Sequence, residues 1–125
     1  MVSTTARSLV ICVIDDDASI LRALQRLLVA DGFTVEVFHS AEHFLDAERA
    51  TVADCLVLDV HLGGLSGFEL YDKLVAAGTR IPVVFITAFD DTLTRERARR
   101  AGAVAYLRKP FDDESLISAI HAALK

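Results

Sequence analysis

Five times along this chain a short apolar, β-rich run gives way to a segment of helical periodicity, and no other feature restricts the fold as much. Leu9–Ile14, Cys55–Leu58, Val83–Ile86 and Val104–Leu107 are continuous apolar runs, the pattern of parallel strands covered on both faces. Thr34–Phe38 alternates instead, with Val35 and Val37 on one side and Glu36 on the other, which suits an edge strand. Strands that alternate with helices predict an α/β domain, a doubly wound (βα)5 sandwich around a five-stranded parallel sheet.

The helical segments carry their own start and stop signals. Ile20, Leu21, Leu24, Leu27 and Leu28 form an apolar stripe behind Asp17, which reads as an N-cap, and Gly32 follows as a stop. Ser40 is placed to cap a second helix containing Phe44 and Leu45. Ser66 and Glu69 have capping-box spacing and open a helix with Leu70 and Leu74 that Gly78 ends. Asp112 precedes a last helix built on Leu116, Ile117, Ile120 and Leu124, with Asp113 and Glu114 as first-turn partners of its dipole. The segment at about Asp91–Ala101 differs. It offers only Leu93, Ala98 and Ala101 as apolar residues beside four arginines, so its packing stripe is thin.

A length of 125 residues without repeat or linker fits one domain, expected over 9–124 with residues 1–8 as an N-terminal extension. The net charge of −5 argues against a nucleic-acid-binding face. No apolar run reaches the roughly 18 residues that a membrane span needs, and the polar start Met1–Ser8 lacks a cleavage-site pattern. Cys12 and Cys55 lie inside apolar runs and read as reduced core residues, which points to the cytoplasm.

In an open parallel sheet, ligands bind beyond the carboxyl ends of the strands, where the strand order reverses. Here Ile14 is followed by Asp15-Asp16-Asp17, Leu58 by Asp59, Ile86 by Thr87, and Leu107-Arg108 by Lys109-Pro110. Carboxylates at Asp15, Asp16 and Asp59 repel one another and favour a hard divalent cation such as Mg²⁺, which takes oxygen ligands. A carboxylate can attack a phosphoryl group to form an aspartyl phosphate. The cation and Lys109 would neutralise charge on the transferring oxygens, and the Thr87 hydroxyl would bond one of them.

The ordered set Asp15-Asp16, Asp59, Thr87-Ala88, Tyr106 and Lys109-Pro110-Phe111 resembles the response-regulator receiver family over roughly residues 9–124. Gly32–Leu45 is similar to the FixJ-type branch. The resemblance implies a flavodoxin/CheY-like sheet of order 2-1-3-4-5 and a phosphorylation-dependent switch in a two-component system. Asp59 would be the phosphoacceptor, Lys109 and Thr87 its catalytic partners, and Thr87 with Tyr106 the switch pair. It further implies Mg²⁺ bound by Asp16, Asp59 and the main-chain carbonyl of His61, with Asp15 acting mainly through water, and a cis Lys109–Pro110 peptide. The phosphoryl donor would be a sensor histidine kinase or phosphotransfer protein. The chain would catalyse only its own phosphotransfer and slow autodephosphorylation, and would signal, or pair with a second copy, through its α4-β5-α5 surface. No direct nucleic-acid or membrane contact is expected of this domain.

Gly63 stands where many receivers have proline, and Gly64 follows it, so a more mobile loop is expected. His61 and Phe89 border the phosphoryl site and are placed to restrict attacking water. His39, His43 and His121 lack metal-ligand spacing and read as surface or helix-face residues. Two rival functions use the same residues. A haloacid-dehalogenase-type phosphatase would read Asp15–Ser19 as its first motif, but no acidic pair follows a later strand, only 15 residues follow Pro110, and Asp59 would have no role. A pseudo-receiver would keep the fold without accepting phosphate, yet every required residue type is present. FixJ-type proteins often carry a DNA-binding domain after the receiver; the sequence suits a single-domain regulator and a piece of a longer one equally.

Overall fold

The computed structural model describes residues 8–125. The expected extension therefore lies, apart from Ser8, outside the described residues. The strands are β1 (Val10–Ile14), β2 (Thr34–Phe38), β3 (Cys55–Asp59), β4 (Val83–Thr87) and β5 (Ala105–Arg108). Between and after them run α1 (Ala18–Ala30), α2 (Ala41–Asp46), α3 (Gly67–Ala76), α4 (Thr92–Arg100) and α5 (Asp113–Ala123). The sheet is parallel throughout, in the order β2-β1-β3-β4-β5. The expected fold class and strand order are both borne out.

Strand periodicity divides the core into two layers. Cys12, Ile14, Leu56, Leu58, Val83 and Phe85 face α2, α3 and α4, where they meet Phe44, Phe68, Leu70, Tyr71, Leu74 and Ala98. The alternate residues Ile11, Val13, Cys55, Val57, Val84 and Ile86 face α1 and α5 and meet Leu21, Leu24, Leu28, Leu116 and Ile120. Cys12 and Cys55 thus lie on opposite faces of adjacent strands, which rules out a bond between them. Both thiols are free and fully buried, and burial pushes each up to about 12. Glu36 turns outward on edge strand β2 and pairs with Arg49 at 2.6 Å.

The caps form as the side chains demand. Asp17 accepts from the Ser19 and Ile20 amides, Ser40 from His43, and Asp112 from Ser115. Ser66 and Glu69 close a reciprocal capping box at the start of α3. At the end of α1, Gly32 takes φ +96° and the Phe33 N–H reaches back to Leu28 O at 3.1 Å, the geometry that a side chain would oppose. No helix among the described residues is long and apolar enough to cross a membrane.

Several strand boundaries and one packing expectation differ. Asp59 and Thr87 are the last residues of their strands rather than the first beyond them, while Leu9 and Val104 fall just outside β1 and β5. Leu93 does not anchor α4: it is 84 % exposed, because the helix sits on the sheet through the opposite side, where Ala98 is buried. Arg97 supplies part of the missing contact. Its guanidinium lies 4.7 Å over the Phe68 ring and 3.3 Å from Asp72.

Candidate functional site

The chain crosses from one side of β1 to the other after β2, so the connections leaving β1 and β3 run to opposite faces of the sheet, the position where such sheets bind ligands. Asp15 follows β1 there, held by its N–H to Phe38 O at 3.1 Å. Asp59 ends β3, and Val60 N–H continues the ladder to Ile86 O at 2.9 Å. Asp15 and Asp59 are buried, whereas Asp16 is exposed. One carboxylate oxygen from each of the three lies within 4.8 Å of the others. Hard oxygen donors at this spacing, open on the Asp16 side, suit a small divalent cation.

The opposing charge comes from the far end of the sequence. Lys109 Nζ stands 2.7 Å from Asp15 Oδ2 and 3.3 Å from Asp59 Oδ2, at the end of β5 and just before a cis Lys109–Pro110 bond. Lys109 N–H donates to Thr87 O at 2.7 Å, which locks this lysine to β4. Asp15 Oδ1 accepts the Asp17 N–H at 2.9 Å, and Asp59 Oδ1 accepts the His61 N–H at 3.1 Å. Burial, then the charge of Asp15, raises the Asp59 carboxyl above its ordinary value, against the pull of Lys109 and the His61 N–H. Burial disfavours the Lys109 ammonium, but its bond to Asp15 and the charge of Asp59 outweigh that and raise it. Charge at this pocket is thus crowded on the acidic side and clamped on the basic one.

Thr87 is fully buried, yet its hydroxyl is occupied locally. It accepts the Phe89 N–H at 2.9 Å and donates to Phe89 O at 3.2 Å. Phe89 is 66 % exposed and stacks on His61 with ring centroids 5.1 Å apart, which joins the connections leaving β3 and β4. Tyr106 lies in β5 beside Thr87's strand. Its hydroxyl is buried without a hydrogen-bond partner among the described residues; burial, then the charge of Asp90, pushes it up to about 12. Beside it is a cavity of about 330 Å³ between α4 and β5, floored by Ala98, Ala103 and Ala105.

The structure brings Asp15, Asp16, Asp59, Thr87 and Lys109 to one end of the sheet, with His61 and Phe89 on its rim and Tyr106 one strand further out. Two contributors are not evident from sequence pattern. Glu42, on α2, accepts the Leu65 N–H at 2.9 Å and so ties the loop after Asp59 to a neighbouring helix. Gly67 presses the first turn of α3 onto the Asp59 main chain. A glycine just inside a capped helix, where it weakens the helix, was the available signal. The basic helix α4 is also less free than its charge suggests. Arg95 pairs with Asp90, Arg97 with Asp72, and Arg99 and Arg100 with Glu96. His39 and His43 are exposed with rings 4.5 Å apart, and His121 pairs with Asp31 at 2.9 Å.

A family model described as the response regulator receiver domain matches residues 11–121. The chain is 40 % identical over 119 residues to the response regulator protein TodT of Pseudomonas putida, covering 95 % of this chain and 52 % of TodT. It is 39 % identical over 117 residues to the transcriptional regulatory protein FixJ of Azorhizobium caulinodans, covering 94 % of this chain and 56 % of FixJ. The crystal structure of a response regulator receiver protein from Burkholderia phymatum matches with a TM-score of 0.82 at 45 % identity, covering 94 % of this chain and 95 % of that one. The chain spans about half the length of the curated relatives it matches.

Proposed function

This chain belongs to the response regulator receiver family, and on that premise we propose that Asp59 accepts a phosphoryl group from a phosphohistidine of a sensor kinase or phosphotransfer protein. Receiver domains are signalling proteins of two-component systems, and they meet such partners in that role. The observation that carries the reading is the position of Lys109 between two buried carboxylates, one of which ends a central strand at the ligand-binding edge of the sheet.

In the proposed step, an Asp59 carboxylate oxygen attacks phosphorus, the phosphorus–nitrogen bond to the donor histidine breaks, and an aspartyl phosphate remains. Burial and the charge of Asp15 raise the Asp59 carboxyl, while Lys109 and the His61 N–H support the charged form that must attack. Asp16, Asp59 and the His61 carbonyl would hold Mg²⁺, with Asp15 acting through water. When bound, Mg²⁺ would supply charge neutralisation at the transferring oxygens. Lys109 is within reach to follow the negative charge from the carboxylates onto the phosphoryl group. Thr87 would exchange its bond to Phe89 O for one to a phosphoryl oxygen, shifting the β4–α4 connection. The Tyr106 hydroxyl, which has no hydrogen-bond partner among the described residues, and the cavity beside it leave room for a rotamer change in response. The His61–Phe89 stack would narrow the approach of hydrolytic water.

The receiver unit is taken as residues 9–124 following the extension 1–8, acting in the cytoplasm. Its output would pass through the α4-β5-α5 surface to a partner or a second copy, without direct nucleic-acid contact. Mass spectrometry after treatment with phosphoramidate and Mg²⁺ tests the reading. One phosphoryl mass is expected in the wild type and none in Asp59→Asn; equal labelling of the variant refutes the assignment.

A further inference from the structure

We infer that Gly67 is a positioning residue for the phosphorylation site: its missing side chain lets α3 seat directly on the Asp59–Val60 main chain, and this contact sets the Asp59 carboxylate and the His61 backbone. The inference rests on the proposed role of Asp59.

A Cβ at position 67 would lie 2.3 Å from Asp59 O, 3.0 Å from Asp59 C and 3.1 Å from Val60 Cα. All three are backbone atoms, so no flexible side chain can give way. The same glycine donates its N–H to Val60 O at 3.0 Å, which grips the peptide from the α3 side. From the other side, Val60 N–H is bonded to Ile86 O at 2.9 Å. The segment from Asp59 to His61 is therefore held between β4 and the first turn of α3.

An added Cβ must move one of the two. Recoil of α3 would pull buried Phe68, Leu70, Tyr71 and Leu74 out of register with Phe85 and the sheet, and would strain the Ser66–Glu69 capping box. A shift of the Asp59 peptide would instead strain the Val60 N–H bond to Ile86 O at the end of the β3–β4 ladder. That shift acts on the reacting group. It displaces the N–H of His61 from Asp59 Oδ1, moves Oδ2 relative to Lys109, and reorients the carbonyl assigned to the cation. Glycine at this place has no conformational reason, since its φ is not in the left-handed region. Closeness of approach is the reason.

The test compares Gly67→Ala with Gly78→Ala. Gly78 sits at the other end of α3 with φ +81° and open space around it, so alanine there strains the backbone without touching the site. Both variants should lose stability. In each, Mg²⁺ affinity is measured by titration calorimetry, phosphorylation by mass spectrometry against phosphoramidate concentration, and metal-free hydrogen exchange over residues 59–67. Gly67→Ala should bind Mg²⁺ about 10- to 100-fold more weakly and phosphorylate at saturating Mg²⁺ and donor on the order of 10-fold more slowly or worse. Its exchange should rise over 59–67 without the cation. Gly78→Ala should match the wild type in all three. The inference is overturned if Gly67→Ala binds and reacts like the wild type, or if Gly78→Ala loses as much. It is also overturned if Gly67→Ala is unfolded where Gly78→Ala is folded, because the glycine then serves the fold at large. A wild type that neither binds Mg²⁺ nor takes phosphate would overturn the assignment of Asp59 itself, and the inference with it.

Discussion

Replacing Lys109 with methionine removes the cation that, among the described residues, touches the buried carboxylates, and keeps most of its stem. Asp15 is fully buried and Asp59 nearly so, and Lys109 approaches them to 2.7 and 3.3 Å. Breaking a buried pair by removing one partner costs about 3–5 kcal/mol, because the remaining charge is left uncompensated. The Lys109 side chain keeps 16 % of its exposure, so solvent reaches the pocket and the lower end, about 3 kcal/mol, is expected. Unfolding entropy of roughly 2.1 cal/mol/K per residue makes 1 kcal/mol worth about 4 °C in a chain of this length. Metal-free Lys109→Met should therefore melt ~12 °C below the wild type. The pH dependence has a definite sign. Lys109 is raised above its ordinary value, so in the wild type its contribution is complete at neutral pH and fades only as pH rises through that value. In the variant, the deficit should shrink as pH falls, because protonation of Asp59, whose carboxyl is already raised, removes the uncompensated charge. Mg²⁺ should restore part of the loss. Differential scanning calorimetry with and without chelator reads all of this. A metal-free melting temperature within about 4 °C of the wild type, roughly 1 kcal/mol, would show that the ammonium is not the counter-charge of the pair.

Two further substitutions follow from the same geometry. Asp16→Asn should raise the metal-free melting temperature by about 1–4 °C, since it relieves repulsion at an exposed position, yet weaken Mg²⁺ binding. The wild type should gain about 2.7 kcal/mol at a hundredfold excess of Mg²⁺ over Kd, and indifference to millimolar Mg²⁺ would count against the cation site. In the loop after Asp59, the two glycines should behave oppositely. Gly63 is not among the positive-φ glycines, and a Cβ there would meet nothing within 4 Å, so Gly63→Pro should stabilise by about 0.4–1 kcal/mol, and a loss of stability would show that its φ is not one proline adopts. Gly64 has φ +75° and its Cβ would meet Glu42 Oε2 at 2.7 Å, so Gly64→Ala should cost about 1–2 kcal/mol. Thermal melts that reverse this order would refute the loop geometry.

Much of this protein is written in local pattern. Apolar runs at Leu9–Ile14 and Val83–Ile86 need burial on both faces, so they become central strands wherever the chain goes. Asp17, Ser40, Ser66 and Asp112 cap helices because the amides they bond lie two or three residues away. The acidic strand ends were legible for the same reason, since a parallel sheet delivers every such end to one edge. Strand order was not written in periodicity; it came from the resemblance of the motifs to a known family. Other features depend on residues that meet only after the sheet has closed. Lys109 lies 94 positions from Asp15 and 50 from Asp59, and nothing local marks it as their shared counter-ion. Leu93 reads as an anchor of α4 but points to solvent, while Arg97 takes the anchoring place on Phe68, because the helix's rotation is set by what the sheet and α3 present to it. Thr87 is satisfied by Phe89, while the buried Tyr106 hydroxyl has no hydrogen-bond partner among the described residues. The sequence determined which elements form and which ends carry charge, since those are matters of neighbours along the chain. Distances between side chains on different elements belong to the packed structure alone, because they are set by how β1, β3, β4 and α3 crowd together around Asp59.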